Sequence, residues 1–184
     1  MKGKAPILRV LAGISFLALV AQAGAVGATE PKSLNVISTA FKQGATIPKK
    51  YGGEGEDFSP ALLWSALPKA TKSIAISCLD PDAPSGTWWH WTIYNLPAKM
   101  QQLGENVPKS PSIAQGIAQG MNDFGKVGYN GPMPPPGQKH HYHFKVMALD
   151  TVLNLRPGAS KEEFSKAIHG HELASGELVG IYSR

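Results

Sequence analysis

Lys72-Ser73-Ile74-Ala75-Ile76-Ser77-Cys78-Leu79 is the stretch that decides the fold class. Ile74, Ile76 and Cys78 alternate with Ser73, Ala75 and Ser77. A period of two marks a strand with one face on a core. Working outward, Trp88–Leu96 is a second strand, rich in aromatic and β-branched residues. His140–Leu149 is a third, and Leu178–Tyr182 is a candidate fourth. One helix is predicted late in the chain. Ser160-Lys161-Glu162-Glu163 is a capping box, Phe164, Ala167 and Ile168 form an apolar stripe behind it, and Gly170 is a stop. The chain has 20 Gly and 15 Pro among 184 residues, a content that favours turns and short strands over a helical bundle. Strands do not alternate with helices, so the expected class is mainly β: an antiparallel β-sandwich with Greek-key links and one or two peripheral helices.

Composition sets further bounds. Hydrophobic residues make up 42% and charged residues 17%, enough apolar material for a real core, which excludes wholesale disorder. Cys78 is the only cysteine, so no internal disulfide exists. It sits in an apolar run and reads as a buried, inert thiol.

The N-terminus reads as an address. Lys2, Lys4 and Arg9 precede an apolar stretch over residues 10–21, followed by Ala21-Gln22-Ala23 and then Val26-Gly27-Ala28. This is the layout of a secretory signal peptide over residues 1–23, with cleavage as late as residue 28 as the second choice. Residues 24–33 read as a flexible lead-in and 34–184 as the folded domain. A periplasmic or secreted protein without a stable membrane anchor is expected. Removing the signal takes three basic residues and no acidic ones, lowering the net charge from +5 to +2. No cluster of Lys and Arg survives that would serve as a nucleic-acid footprint.

Two segments carry the chemistry. Asp80-Pro81-Asp82-Ala83-Pro84 follows the first strand, and Trp88-Trp89-His90-Trp91 opens the second. Asp80 continues the apolar face of Ile76 and Cys78, so it lies where the strand leaves the core. Read alone, this turn could be an Asx turn, and His90 a satisfied core histidine. The second segment is Gly128-Tyr129-Asn130-Gly131-Pro132-Met133-Pro134-Pro135-Pro136-Gly137, leading into His140-His141-Tyr142-His143-Phe144. The Pro/Gly run is a stiff loop and a suitable pocket wall. Parity sorts the residues of the third strand. His140 and Tyr142 share the face of Phe144, Val146 and Ala148, at its open end, while His141, His143 and Lys145 share a solvated face. A bulge would swap these assignments.

Other chemistries fit less well. His90, His140, Asp80 and Asp82 carry metal-ligating atoms, yet no HExxH or paired CxxC supports a metal, and no cofactor is expected. No G-x-S-x-G elbow is present. Gly120-x4-Gly125-Lys126 lacks the Ser/Thr of a phosphate loop. General acid/base catalysis by His and Asp stays open.

At these segments the sequence resembles the phosphatidylethanolamine-binding protein family, in its bacterial Raf-kinase-inhibitor-like branch. DPDAP at 80–84, HW at 90–91, GYNGPMPPPG at 128–137 and HHY at 140–142 carry the likeness, with SPALLWSALP at 59–68. The resemblance implies a β-sandwich with a small rim pocket for anions, including phosphorylated head groups. It places the pocket acids at Asp80 and Asp82, the strand histidine at His90 beside Trp88, and the loop wall at Gly131, Pro132, Pro134 and Pro135. The second histidine and the tyrosine fall on His140 and Tyr142. His141 stands where Arg is usual, and would make an ion pair there only when protonated. The same branch suggests a homodimer. A small anionic ligand or phospholipid head group is the expected partner. The alternatives are a protein-interaction inhibitor of an enzyme, and a weak hydrolase using the His/Asp pocket.

Overall fold

A computed structural model of the chain describes Met1 and residues 32–184. The expected signal peptide and most of the lead-in lie outside the described residues. Among the described residues the strands are β1 Lys32–Ser33, β2 Val36–Ile37, β3 Leu62–Trp64, β4 Ser73–Asp80, β5 Trp88–Pro97, β6 Gln102–Leu103, β7 Ala118–Gln119, β8 Lys139–Leu149 and β9 Glu172–Ser183, and the one α-helix is α1, Lys161–Ile168. The three strands predicted most clearly are β4, β5 and β8, each found within a residue of its expected bounds.

Two sheets form. The large one has the order β1-β9-β8-β4-β5-β7, the small one β2-β3-β6. All pairings are antiparallel except β1 with β9. Lys32 and Ser33 pair with Ala174 and Ser175, so the sheet begins two residues before the expected domain start. Because β5 and β8 both run antiparallel to β4, they lie parallel on either side of it. Residues 98–138 make that crossover, which carries β6, β7 and the rim loops and replaces a simple meander.

The alternation in β4 and β8 divides the core. Ile74, Ile76 and Cys78 pack with Phe144, Val146 and Ala148 against Val36, Leu62 and Trp64 of the small sheet. Ala75, Met147 and Leu149 emerge on the opposite face, under Phe164 of α1. Burying a large apolar side chain such as Phe164 contributes about 2–3 kcal/mol. The capping box is present: Glu163 N–H donates to Ser160 Oγ at 3.2 Å, and Ser160 N–H donates to Glu163 Oε2 at 2.7 Å. The chain leaves the helix through Gly170 at φ +78°, a left-handed turn that suits glycine.

Cys78 is fully buried, and that burial pushes its thiol pKa well above the usual value. Thiol reagents are therefore expected to leave the folded protein untouched and to modify Cys78 only after denaturation. Labelling in native buffer at a rate close to that of the unfolded chain would contradict this.

Candidate functional site

The functional residues collect where β4, β5 and β8 reach one end of the large sheet. β8 is regular at that end: its pairing with β9 runs without a shift from Lys139 to Ala148. Parity therefore holds. His140 and Tyr142 are buried on the Phe144 face. The other face is solvated, and its side chains meet acids: His141 Nδ1 lies 2.7 Å from Asp82 Oδ2, His143 Nδ1 3.1 Å from Glu177 Oε2, and Lys145 makes an ion pair with Glu172 at 2.9 Å.

The irregularity lies instead in β5. Cys78 is opposite Trp91, but Leu79 is opposite Trp89. His90 is thus the extra residue of a β-bulge, and the strand changes face across it. Trp91 packs into the core between the sheets, whereas Trp89 meets Phe164 on the helix side. Trp88, paired with Asp80, returns to the core side of the sheet. The bulge is what brings Trp88 and His90 onto the same side of the sheet as Trp91, where Tyr142 of β8 meets His90.

That cavity has a volume of about 210 Å³. Of the ten residues singled out from the sequence, it is lined by Asp80, Trp88, His90, Pro134, Pro135, His140 and Tyr142. Ala83, Pro84, Ser85, Phe124 and Met133 complete the wall. Asp82, Gly131 and Pro132 stand outside the lining and hold its frame. Asp82 Oδ2 accepts the backbone N–H of His141 at 2.8 Å and its Nδ1–H at 2.7 Å, tying the 80–84 turn to β8. These bonds, the side-chain one foremost, hold the Asp82 carboxyl below its usual pKa. Gly131 N–H donates to Asp57 Oδ1 at 2.6 Å, and Pro132 O accepts from Gly53 N–H at 2.9 Å. A larger hollow of about 550 Å³ lies against the small sheet between Asn35, Ile37, Lys99 and Gln101. It holds none of the residues that chemistry picks out, so the smaller cavity is the candidate site.

Asp80 does two jobs. Its Oδ1 accepts Asp82 N–H at 2.9 Å, which is the Asx-type turn read from the sequence. Its Oδ2 lies 2.8 Å from His140 Nδ1, with both side chains about 4% exposed. A carboxylate at that distance fixes Nδ1 as a donor and turns Nε2 away from Asp80, where Gln138 Oε1 meets it at 3.1 Å. His90 is fixed differently: its Nδ1 lies 2.6 Å from Asn130 O. A carbonyl only accepts, so Nδ1 carries the proton.

Burial, the dominant influence on His90, lowers its pKa below the ordinary 6.5. The neutral ring belongs to the folded state, and the unfolded chain takes up the proton first. Stability is thus full above about pH 6.5 and is lost as the pH falls toward the lowered value. A thermal melt at pH 5.5 should fall below that at pH 7.5, and His90→Gln should reduce the difference. Equal pH slopes for the two proteins would contradict this.

Two polar atoms in the cavity wall have no partner. Trp88 Nε1–H and Tyr142 O–H are buried and reach no well-formed hydrogen-bond partner among the described residues, although the Asp80 carboxylate stands near the Tyr142 hydroxyl. Burial, then the nearby Asp80 carboxylate, push the Tyr142 pKa well up, so the phenol keeps its proton and remains a donor. Leaving a buried donor unpaired costs about 1–3 kcal/mol, so a ligand that accepts from both gains that back. Among the described residues, no three His, Cys, Asp or Glu side chains converge as metal ligands would.

Sequence reasoning missed Phe124 and the loop behind it. Phe124 sits edge-on to both Trp88 and His90, with centroids 5.5 and 5.2 Å away. Its loop is organised by buried Asn122, whose Oδ1 accepts from the N–H groups of Phe124 and Lys126 at 3.0 and 3.2 Å. The signal for it was Asn122-Asp123-Phe124-Gly125, an Asn–Gly turn pattern with an aromatic residue at its tip.

Comparison with known proteins gives a consistent picture. The family model described as "Phosphatidylethanolamine-binding protein" matches residues 37–183. A UPF0098 protein of Pyrococcus horikoshii is 46% identical over 99% of this chain and 93% of its own length. The UPF0098 protein YbhB of Escherichia coli is 37% identical over 82% of this chain and all of its own. Among solved structures, Escherichia coli YbcL, described as a member of the mammalian PEBP family, superposes with a TM-score of 0.77 at 34% identity, covering 82% of this chain and 98% of its own. A putative phosphatidylethanolamine-binding protein homologue of Chlamydia trachomatis gives a TM-score of 0.74 at 38% identity, over 83% of this chain and 99% of its own.

Proposed function

Because the chain belongs to the phosphatidylethanolamine-binding protein family, in the branch of the YbhB relative, we propose that it is a binding module whose rim cavity takes small anions or phosphorylated head groups. The observation that supports this is the pair of buried, unpartnered donors, Trp88 Nε1–H and Tyr142 O–H, in the wall of a cavity closed by the Pro134–Pro135 loop. Acceptor oxygens of an anion satisfy both. The proline wall is already in place: Arg184 Nε donates to Pro134 O at 2.6 Å, and Gly137 N–H donates to Arg184 O at 2.8 Å. Binding then costs little loop entropy. If residues 1–23 act as the signal peptide their layout suggests, the ligand is met in the periplasm or outside the cell.

The test is calorimetric titration of the protein with phosphate and phosphoethanolamine, beside Tyr142→Phe. The variant removes a donor that has no protein partner, so its stability should stay within about 1 kcal/mol of the parent or rise. Its affinity should fall about tenfold, the worth of one hydrogen bond to a charged acceptor. A destabilised variant that binds as the parent does would show that the hydroxyl serves the fold and not a ligand.

A further inference from the structure

One acid outside the cavity holds two of its walls. Resting on the reading that the rim cavity binds an anion, we propose that Asp57 is a positioning residue for that site: its carboxylate, set in a left-handed stretch of backbone, ties down Asn130 and Gly131 together and so fixes both the His90 ring and the start of the proline wall.

Asp57 does not line the cavity. It stands at φ +57°, a conformation that costs an L-residue and that glycine takes freely. Glycine could not do what its side chain does. Oδ1 accepts Gly131 N–H at 2.6 Å, and Oδ2 accepts Asn130 Nδ2–H at 3.1 Å. The Lys109 ammonium also pairs with Oδ2. The two loop contacts join positions 73 and 74 residues apart in the chain. Backbone strain is thus held where a carboxylate joins the 51–58 segment to the rim loop, beside the site.

Asn130 passes the constraint on. Its side-chain amide is bonded at both ends: Nδ2 donates to Asp57, and Oδ1 accepts from Asn122 Nδ2 at 2.8 Å. A carboxylate only accepts, so Asp57 decides which way that amide is turned. The Asn130 backbone is held with it. Its N–H donates to His90 O at 3.1 Å, and its O accepts His90 Nδ1–H at 2.6 Å. The His90 ring thereby stays edge-on to Phe124 and Tyr142, with centroids 5.2 Å from each. Gly131 passes the constraint the other way, through Pro132 to Pro134 and Pro135 of the cavity wall. One carboxylate holds two walls of the cavity without reaching into it.

The experiment combines calorimetric titration with inorganic phosphate and NMR of the His90 ring N–H, in the parent, Asp57→Gly, Asp57→Asn and Lys109→Ala. Asp57→Gly suits the backbone and removes the carboxylate. Asp57→Asn keeps the size but leaves one side-chain acceptor for two donors. Both should weaken phosphate binding about tenfold, the scale seen when the outer partner of a ligating histidine is lost. In both, His90 Nδ1–H should exchange with water about tenfold faster than in the parent, because the Asn130 carbonyl no longer stays in place. A role in the fold alone would lower the melting temperature and move neither readout well below it. Lys109→Ala removes the ion pair but keeps both loop bonds, so it should bind as the parent does. Parental affinity and parental His90 exchange in both Asp57 variants would overturn the proposal and leave anion binding intact. Lys109→Ala weakening binding as much as Asp57→Gly would also overturn it, by assigning the effect to the ion pair. A parent that takes up no phosphate at millimolar concentration would overturn the binding reading and this proposal with it.

Discussion

Replacing His140 with alanine is expected to cost about 3–5 kcal/mol of unfolding free energy at pH 7, the range seen when one partner of a buried pair is removed. The side chains of Asp80 and His140 are almost wholly buried and meet at 2.8 Å. Without the imidazole, the Asp80 carboxylate loses its hydrogen bond to His140 and keeps that from Asp82 N–H. Asp80→Asn should be much milder, near 1 kcal/mol, since the amide oxygen still accepts from Asp82 and no charge is stranded. Adding Asp80→Asn to His140→Ala should therefore restore part of the lost stability. Urea unfolding of the parent, both single variants and the double variant measures this as one cycle. A His140→Ala cost below about 1 kcal/mol, with additive effects in the double variant, would show that the pair is not a coupled unit.

Gly131→Ala is the second large effect, and its cause is steric. A Cβ at Gly131 would lie 2.1 Å from Tyr51 O and 2.9 Å from the carbonyl carbon and Cα of Gly52. These are backbone atoms and cannot swing aside. Relief requires the 51–53 segment to part from the rim loop, which breaks the Gly53 N–H to Pro132 O bond and the Gly131 N–H to Asp57 bond. A loss of about 3 kcal/mol or more is expected, in the range of strain and lost buried hydrogen bonds combined. Any variant that still folds should bind phosphate poorly, because Pro134 and Pro135 follow directly from the displaced segment. A Gly131→Ala protein with parental stability would mean that the two loops do not meet at Gly131. Gly131 thus serves the site through its missing side chain, as a place of close backbone approach.

What the sequence made legible was whatever obeys a period. The alternation of Ile74, Ile76 and Cys78 gave β4, and the same rule placed His140 and Tyr142 inward and His141 and His143 outward, because β8 carries no shift at that end. The capping box gave α1 for the same reason: its signal is local. The resemblance supplied what no period reveals, among it the role of Trp88 and the choice of Gly131, Pro132, Pro134 and Pro135 within a loop whose Pro/Gly content already marked it as stiff. Three features stayed hidden. The bulge at His90 leaves no mark in composition, since it is decided by which partner strand residue sits opposite. The close approach of Gly131 to Tyr51 depends on a contact between segments far apart in the chain. The Asn122–Asn130–Asp57 network spans three loops, and only the folded crossover brings them together. The Asx turn at Asp80 and the site at Asp80 were competing readings in the sequence. In the structure they are the two oxygens of one carboxylate.

Anion binding in the rim cavity is tested most directly by a crystal structure of the protein grown with phosphate. It should show a tetrahedral anion in the cavity, with oxygens within hydrogen-bonding distance of Trp88 Nε1 and Tyr142 Oη. A cavity holding only water at saturating phosphate, or an anion bound solely to surface lysines elsewhere, would contradict it.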